Sequence, residues 1–310
     1  MEEESLLTLA SPEWSKNPDG DGVLCSQYGA YFAFHYEGQG GQLLLSFGQE
    51  YPDMRWTLNV DGSDQQTCSS DGEELTIDLP AGQHDVELVL DQWATGQVAF
   101  WQSGLVVQSI RVTGAVQLTS TLPNDEDKEA TPYLTFVGDS IVAGEAMMGA
   151  SHDQHRPSQS FPAIVARAKK QPLNRIAYGG TGLTTSAPFQ EPKAIDALWR
   201  VRDDVARRRV HSQQVVVAYG LNDANYGASE EDFAFGLRVY LLELVKRFHQ
   251  AHFYLLTPWN GRFKDIFMAE ASRFDCFTVV DTSPWQISTR PHHPGVADHQ
   301  KIAAKLERIL

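Results

Sequence analysis

Four short stretches of this 310-residue chain carry residues whose types suit acyl transfer. Ser140 ends Gly138-Asp139-Ser140. Gly180 ends Gly179-Gly180, Asn222 lies in Gly220-Leu221-Asn222-Asp223, and His293 opens His293-Pro294. A serine within reach of a histidine is a nucleophile with its general base. A glycine N–H and an asparagine side-chain amide can donate to a tetrahedral oxyanion, together with the serine's own N–H. Glycine suits a backbone that a carbonyl must approach closely, and asparagine is a neutral donor that does not compete for the proton. Blander roles stand beside these. Ser140 could cap a helix, and Asn222 could stabilise a turn. Asp139, beside the serine on a tight turn, and Asp223 read as structural hydrogen-bonding residues.

The segment STRPHHPGVADHQ (Ser288–Gln300) holds His292, His293 and His299. His293 and His299 are six apart, not the i, i+4 of a helical zinc pair, and no acidic ligand matches a known spacing. His152 and His155 lie in a loop that reads as polar surface. The expectation is no metal and no cofactor. His293 is then the base, His292 points elsewhere, and His299 is a structural residue in the first turn of the last helix. Asp298 is directed into that helix start. Trp259 and Trp285 are candidates for stacking on a sugar ring, with core packing an equal alternative.

Positioning these residues requires two kinds of structure. Tyr31–Gly38, Gln42–Gly48, Met54–Val60, Leu75–Pro80, His84–Leu90 and Gln97–Gly104 read as short strands, several with alternating apolar residues. Asp61-Gly62, Asp71-Gly72 and Pro80-Ala81-Gly82 supply turn signals. Residues 1–120 therefore predict an all-β jelly-roll sandwich. Thr121–Pro132 is polar, charged and flanked by prolines, as a linker would be. Over 133–310, apolar strands (YLTFVGDS, NRIAYGG, QQVVVAYG, HFYLLTP, FTVVDTS) alternate with helical patterns. One helical face carries Phe161, Ile164, Val165 and Ala168. A second carries Phe233, Leu237, Leu241, Leu244, Val245 and Phe248 behind a Ser229-x-x-Asp232 capping box, and the last carries Ile302, Ala303, Leu306 and Leu310. This is an α/β pattern, a parallel sheet covered by helices on both sides, and ligands in such sheets bind beyond the carboxyl ends of the strands.

The four blocks, in order and each beside a strand end, resemble those of SGNH (GDSL-type) hydrolases across roughly 133–310, a flavodoxin-like fold. The rival serine-hydrolase signature GxSxG is not met, because Val142 stands at the second glycine's place. The β half leading through GQHDVELVLDQW and GQVAFWQSGLVV into YLTFVGDSIVAGE is similar to family two carbohydrate esterases, as is IAYGGTGL. That resemblance implies a carbohydrate O-acetylesterase acting on xylan- or mannan-type glycans, with Ser140 and His293 catalytic and Ser140, Gly180 and Asn222 forming the oxyanion hole. SGNH enzymes place an aspartate three residues before the histidine; here that residue is Arg290. The resemblance admits a Ser–His dyad with a backbone carbonyl of Arg290–His292 orienting the imidazole, and Asp281 is the best carboxylate alternative. Other SGNH reactions (acetyl transfer, lipid or thioester hydrolysis) and a carbohydrate-binding protein with a relic esterase site stay open.

A formal net charge of −15 argues against a nucleic-acid or anionic-membrane surface. Three well-separated cysteines, with no CxxC, argue against a thiolate zinc site and leave open one Cys25–Cys68 bridge. MEEESLLTLASPEW has no long apolar run, so no export signal or membrane helix is expected. The chain is then cytoplasmic if complete, or secreted or periplasmic if a leader was removed. The expected partner is an acetylated carbohydrate, and oligomeric state is open.

Overall fold

The structure is a computed structural model that describes residues 3–70, 72–124, 130–148, 154–289 and 293–310. Helix α1 (Glu3–Leu9) leads into β1 (Ser15–Lys16), β2 (Val23–Cys25), β3 (Tyr31–Ser46), β4 (Met54–Val60), β5 (Ser63–Ser70) and β6 (Glu74–Trp93). Helix α2 (Gln97–Ser103) and strands β7 (Leu105–Val107), β8 (Ser109–Val112) and β9 (Ala115–Ser120) complete the first half. One sheet has the order β5-β4-β6-β3-β8, with β9 also on β3; β1-β2-β7 form another.

Two sequence readings are corrected here. The four strands expected between Tyr31 and Leu90, other than Met54–Val60, are two long ones. β3 and β6 pair antiparallel from Tyr31↔Val89 to Ser46↔Glu74. Pro80-Ala81-Gly82 lies inside β6 without ending it, and Gly82 faces Gly38 of β3. β9 pairs with the first part of β3 and β8 with the second. Gln97–Gly104 is helix, not strand. Gly96 and Gly104 flank it, Phe100 enters the β core, and Trp101 enters the core of the second half. The expected turn at Asp61-Gly62 does join β4 to β5; Asp71 lies outside the described residues. The three cysteines are free thiols, so Cys25 and Cys68 are not bridged.

The second half runs β10 (Tyr133–Gly138), α3 (Ser140–Ala143), α4 (Phe161–Lys169), β11 (Leu173–Ala177), α5 (Ala194–Trp199), β12 (Arg200–Arg202), β13 (Val205–Ala206) and β14 (Ser212–Ala218). It continues with α6 (Leu221–Asn225), α7 (Glu230–Arg247), β15 (His252–Leu256), α8 (Lys264–Ala271), β16 (Phe277–Val280) and α9 (Val296–Leu306). Its sheet has the order β11-β10-β14-β15-β16, parallel throughout. The order reverses beside β10, which makes the carboxyl ends of β10, β11 and β14 the binding edge. The apolar periodicities of α4, α7 and α9 mark faces turned into the two cores flanking this sheet, except that Ala168 of α4 is exposed. The Ser229 hydroxyl caps α7 by accepting from the Asp232 N–H at 3.1 Å.

The halves share buried surface. Tyr31, Ala33 and Val89, from the paired strands β3 and β6, join the core of the α/β half. β11 is an edge strand, and an edge leaves backbone groups without ladder partners. Side chains of the β half supply them. Glu13 accepts from the Arg175 N–H, Gln27 donates to the Arg175 carbonyl at 2.9 Å, and the Tyr31 hydroxyl donates to the Leu173 carbonyl at 2.8 Å. Among the described residues no helix is long and apolar enough to cross a membrane.

Candidate active site

Ser140 opens α3 directly after β10. Asp139 is the N-cap of that short helix, and its carboxylate accepts from the Ile141 N–H at 3.0 Å, the structural role its sequence position suggested. The Ser140 N–H, first in its helix, has no acceptor one turn back. Ser140 is 7% exposed, and its Oγ lies 2.9 Å from His293 Nε2. With the imidazole proton on Nδ1, the hydroxyl donates to Nε2, the geometry a general base needs. Two residues 153 apart in sequence are thus brought to hydrogen-bonding distance.

Gly180 follows β11 with a φ of +70°, a left-handed conformation that disfavours side chains, and a Cβ there would lie 2.3 Å from Phe189 Cδ2. Its carbonyl accepts from the Phe189 N–H at 3.1 Å, while its own N–H donates to no acceptor among the described residues. Asn222, in α6 after β14, donates from Nδ2 to the Thr181 carbonyl at 2.8 Å and to Asp139 Oδ2 at 3.4 Å. One amide hydrogen is firmly used and the second only loosely. Asp223 is structural: it accepts from the N–H groups of Leu183 and Thr184 and from the Thr184 hydroxyl. It thereby fixes the loop that follows Gly180.

Buried acids lie beneath this arrangement. Burial, opposed by the Ile141 N–H and reinforced by Asp223, pushes the Asp139 carboxyl up to about 7. Burial and the nearby Asp139 push Glu145 up to about 8. Arg175 holds the turn after α3 in place from below. It donates to the Pro157 carbonyl at 3.1 Å and the Ser160 hydroxyl at 3.0 Å, and reaches the Ala143 carbonyl at 3.5 Å.

The remaining sequence candidates are placed as follows. Asp281 Oδ2 accepts from Lys264 Nζ at 2.6 Å, and Oδ1 accepts from the Ser283 N–H and hydroxyl; these partners hold its carboxyl down to about 2. It is thus committed to a surface ion pair. Asp298 accepts from the Gly295 N–H at 3.4 Å, at the start of α9 as expected. Arg290, Pro291 and His292 lie outside the described residues, as does His152. His155 is not on a polar surface. It is 6% exposed, accepts from the Ala146 N–H at 2.9 Å, and packs on Tyr28. His299 is structural, fully buried, with Nδ1 accepting from the Phe161 N–H at 3.1 Å and its ring stacked on Phe161. Trp259 and Trp285 are 8% and 7% exposed and pack on each other, with ring centroids 5.9 Å apart. They serve packing, leaving little ring face for a ligand. The exposed aromatic beside the site is instead Phe189, 43% exposed over Gly180. Sequence reasoning missed it because only the loop closure brings it back to the glycine nine residues earlier.

The second half, a parallel five-stranded sheet flanked by helices, matches the SGNH fold, and the β half precedes it. No known family's sequence profile and no curated protein sequence matches the chain. Solved structures do. An active-site mutant of a family two carbohydrate esterase from Clostridium thermocellum, in complex with a cello-oligosaccharide, superposes with a TM-score of 0.76 at 19% identity, covering 97% of this chain and 96% of that one. A carbohydrate esterase family 2 enzyme from Corynascus thermopiles (Myceliophthora fergusii) gives 0.74 at 18% identity, covering 97% of each chain. The acetyl xylan esterase Est2A from Butyrivibrio proteoclasticus gives 0.73 at 14% identity, covering 96% of this chain and 92% of that one. The chain shares the fold of these solved structures over nearly its whole length.

Proposed function

We propose that this protein is a carbohydrate O-acetylesterase working through a serine acyl-enzyme, with the β half as the jelly-roll partner of an SGNH domain. The observation that carries the reading is the 2.9 Å Ser140 Oγ–His293 Nε2 contact beside Gly180 and Asn222. Ser140 attacks the acetyl carbonyl as His293 takes its proton. The N–H groups of Ser140 and Gly180 and the loosely held Asn222 hydrogen stabilise the oxyanion. His293 then protonates the leaving sugar hydroxyl, and water, deprotonated by His293, releases acetate. Ser140 and His293 act as a dyad, since Asp281 and Asp298 are taken up elsewhere. Acetylated polysaccharide is the substrate class favoured, because the solved relatives include an acetyl xylan esterase and a complex with a cello-oligosaccharide.

The test is acetate release from acetylated xylan, acetylated mannan and aryl acetates, with labelling by a fluorophosphonate. Ser140→Ala and His293→Ala each lower kcat by roughly three orders of magnitude or more, and Ser140→Ala abolishes labelling. Full activity in either variant, or no label on Ser140 in the wild-type protein, refutes the reading.

A further inference from the structure

One acid beside the nucleophile has no part in these steps. Glu145 follows Ser140 by five residues, and its backbone N–H donates to the Ser140 carbonyl at 3.0 Å. Its side chain lies against the end of β11. A Cβ added to Gly179 would lie 2.3 Å from Glu145 Oε2 and 2.8 Å from Oε1. Oε1 is enclosed and has no hydrogen-bond partner among the described residues. The carboxyl therefore fills the gap between the nucleophile turn and the glycine pair that follows β11, and Gly179 has no side chain because Glu145 occupies its place.

We propose that Glu145 is a positioning residue for the acyl transfer described above, holding the Gly179–Gly180 peptides against the Ser140 turn so that the Gly180 N–H faces the developing oxyanion. The proposal rests on the serine-esterase reading and adds to it a requirement for the protonation state of a third group. Asp139 faces Glu145 from the nucleophile turn, with Asp223 behind it, and Tyr28 faces it from the β half. His155 packs on Tyr28 and accepts from the residue after Glu145, and His293 lies across Ser140. Arg175, which reaches the Ala143 carbonyl, is spent on carbonyls and the Ser160 hydroxyl. Burial first, then Asp139, raise the carboxyl to about 8 against the opposing Gly179 N–H. Near neutral pH the group is uncharged. Ionised, it would place a second negative charge beside the oxyanion and slow the reaction.

The experiment measures kcat and KM for an aryl acetate from pH 6 to 10 with the wild type, Glu145→Gln, Glu145→Ala and Ser140→Ala, each checked by thermal unfolding. Glu145→Gln keeps kcat within about threefold at pH 7 and loses the alkaline fall that the wild type shows around pH 8. Glu145→Ala lowers kcat about tenfold or more with KM little changed, the mark of a group acting on the transition state. Wild-type kcat in Glu145→Ala overturns the proposal, as does an unchanged alkaline fall in Glu145→Gln. The glutamine variant decides the matter even where the alanine variant does not fold. Activity surviving in Ser140→Ala overturns the underlying esterase reading instead, and is recognised separately from either Glu145 result.

Discussion

Asn222→Ala tests the oxyanion hole at its least conventional member. In the structure the side-chain amide donates to the Thr181 carbonyl at 2.8 Å, and its other contact, to Asp139, is stretched to 3.4 Å. The long contact is weak, since hydrogen bonds fade beyond about 3.2 Å. The second hydrogen therefore gives up little when an oxyanion forms in front of it. Removing the side chain thus costs the ground state one bond, to Thr181, worth about 1 kcal/mol. It costs the transition state a preorganised donor worth about 3–4 kcal/mol, or 10²–10³ in kcat. KM should move little, because the oxyanion does not exist in the bound substrate. Asn222→Asp should lose more than the alanine variant, because a carboxylate would face the Thr181 carbonyl and the buried Asp139. The assay is steady-state hydrolysis of an aryl acetate, with unfolding temperature as the control. A kcat within threefold of wild type in Asn222→Ala, with Ser140→Ala inactive, would refute the reasoning and leave the two backbone N–H groups as the whole oxyanion hole.

Two further outcomes follow. Asp281→Asn should leave kcat within about threefold, since the carboxylate serves Lys264 and Ser283; a loss near 10⁴-fold in a folded variant would make Asp281 the triad acid. His299, pushed down to about 3 by burial and then by Arg175 and His293, stays neutral in the fold while the unfolded chain protonates near 6.5. Its contribution to stability is therefore complete above pH ~6.5 and is lost as pH falls toward 3, by up to about 5 kcal/mol. His299→Gln, which can keep an acceptor for the Phe161 N–H, should flatten the acid limb of the unfolding profile; an unchanged limb would show that other groups govern it.

The sequence made the α/β half legible because its strands are buried on both faces. β10 and the Val215–Ala218 part of β14 read as apolar runs, and the glycines and polar residues that follow β10, β11 and β14 are the candidate site. The β half was harder for two physical reasons. A short apolar run such as Gln97–Ser103 has no period long enough to separate helix from strand. Its neighbours decided, with Phe100 and Trp101 going to different cores. β3 and β6 stay paired on both sides of Gly38↔Gly82, so Pro80-Ala81-Gly82 looks like a chain reversal in sequence and lies within one continuous strand. At the site, Ser140, Gly180, Asn222 and His293 stood at positions the strand pattern dictates. Phe189 and the Glu145 carboxyl did not, because their placement depends on loops whose course no periodicity records. The indoles of Trp259 and Trp285 looked like ligand surface for the same reason and are packing.

The β half is built into the α/β half rather than appended to it. The side chains of Glu13, Gln27 and Tyr31 satisfy the free edge of β11, the strand whose end carries Gly179 and Gly180. Arg175, on the same strand, passes beneath the turn after α3, and a Cβ on Gly29 would lie 1.7 Å from its Nη1. Asp91 pairs with Arg156 at 3.6 Å, and Arg55 donates to the His155 carbonyl at 3.1 Å, fixing the loop that returns from the nucleophile. An edge strand left open would leave buried donors and acceptors unpaired, at about 1–3 kcal/mol each, and would loosen the strand that presents an oxyanion donor. On the proposed mechanism the β half bears on catalysis through the geometry of β11 and the Ser140 turn, whether or not it touches substrate.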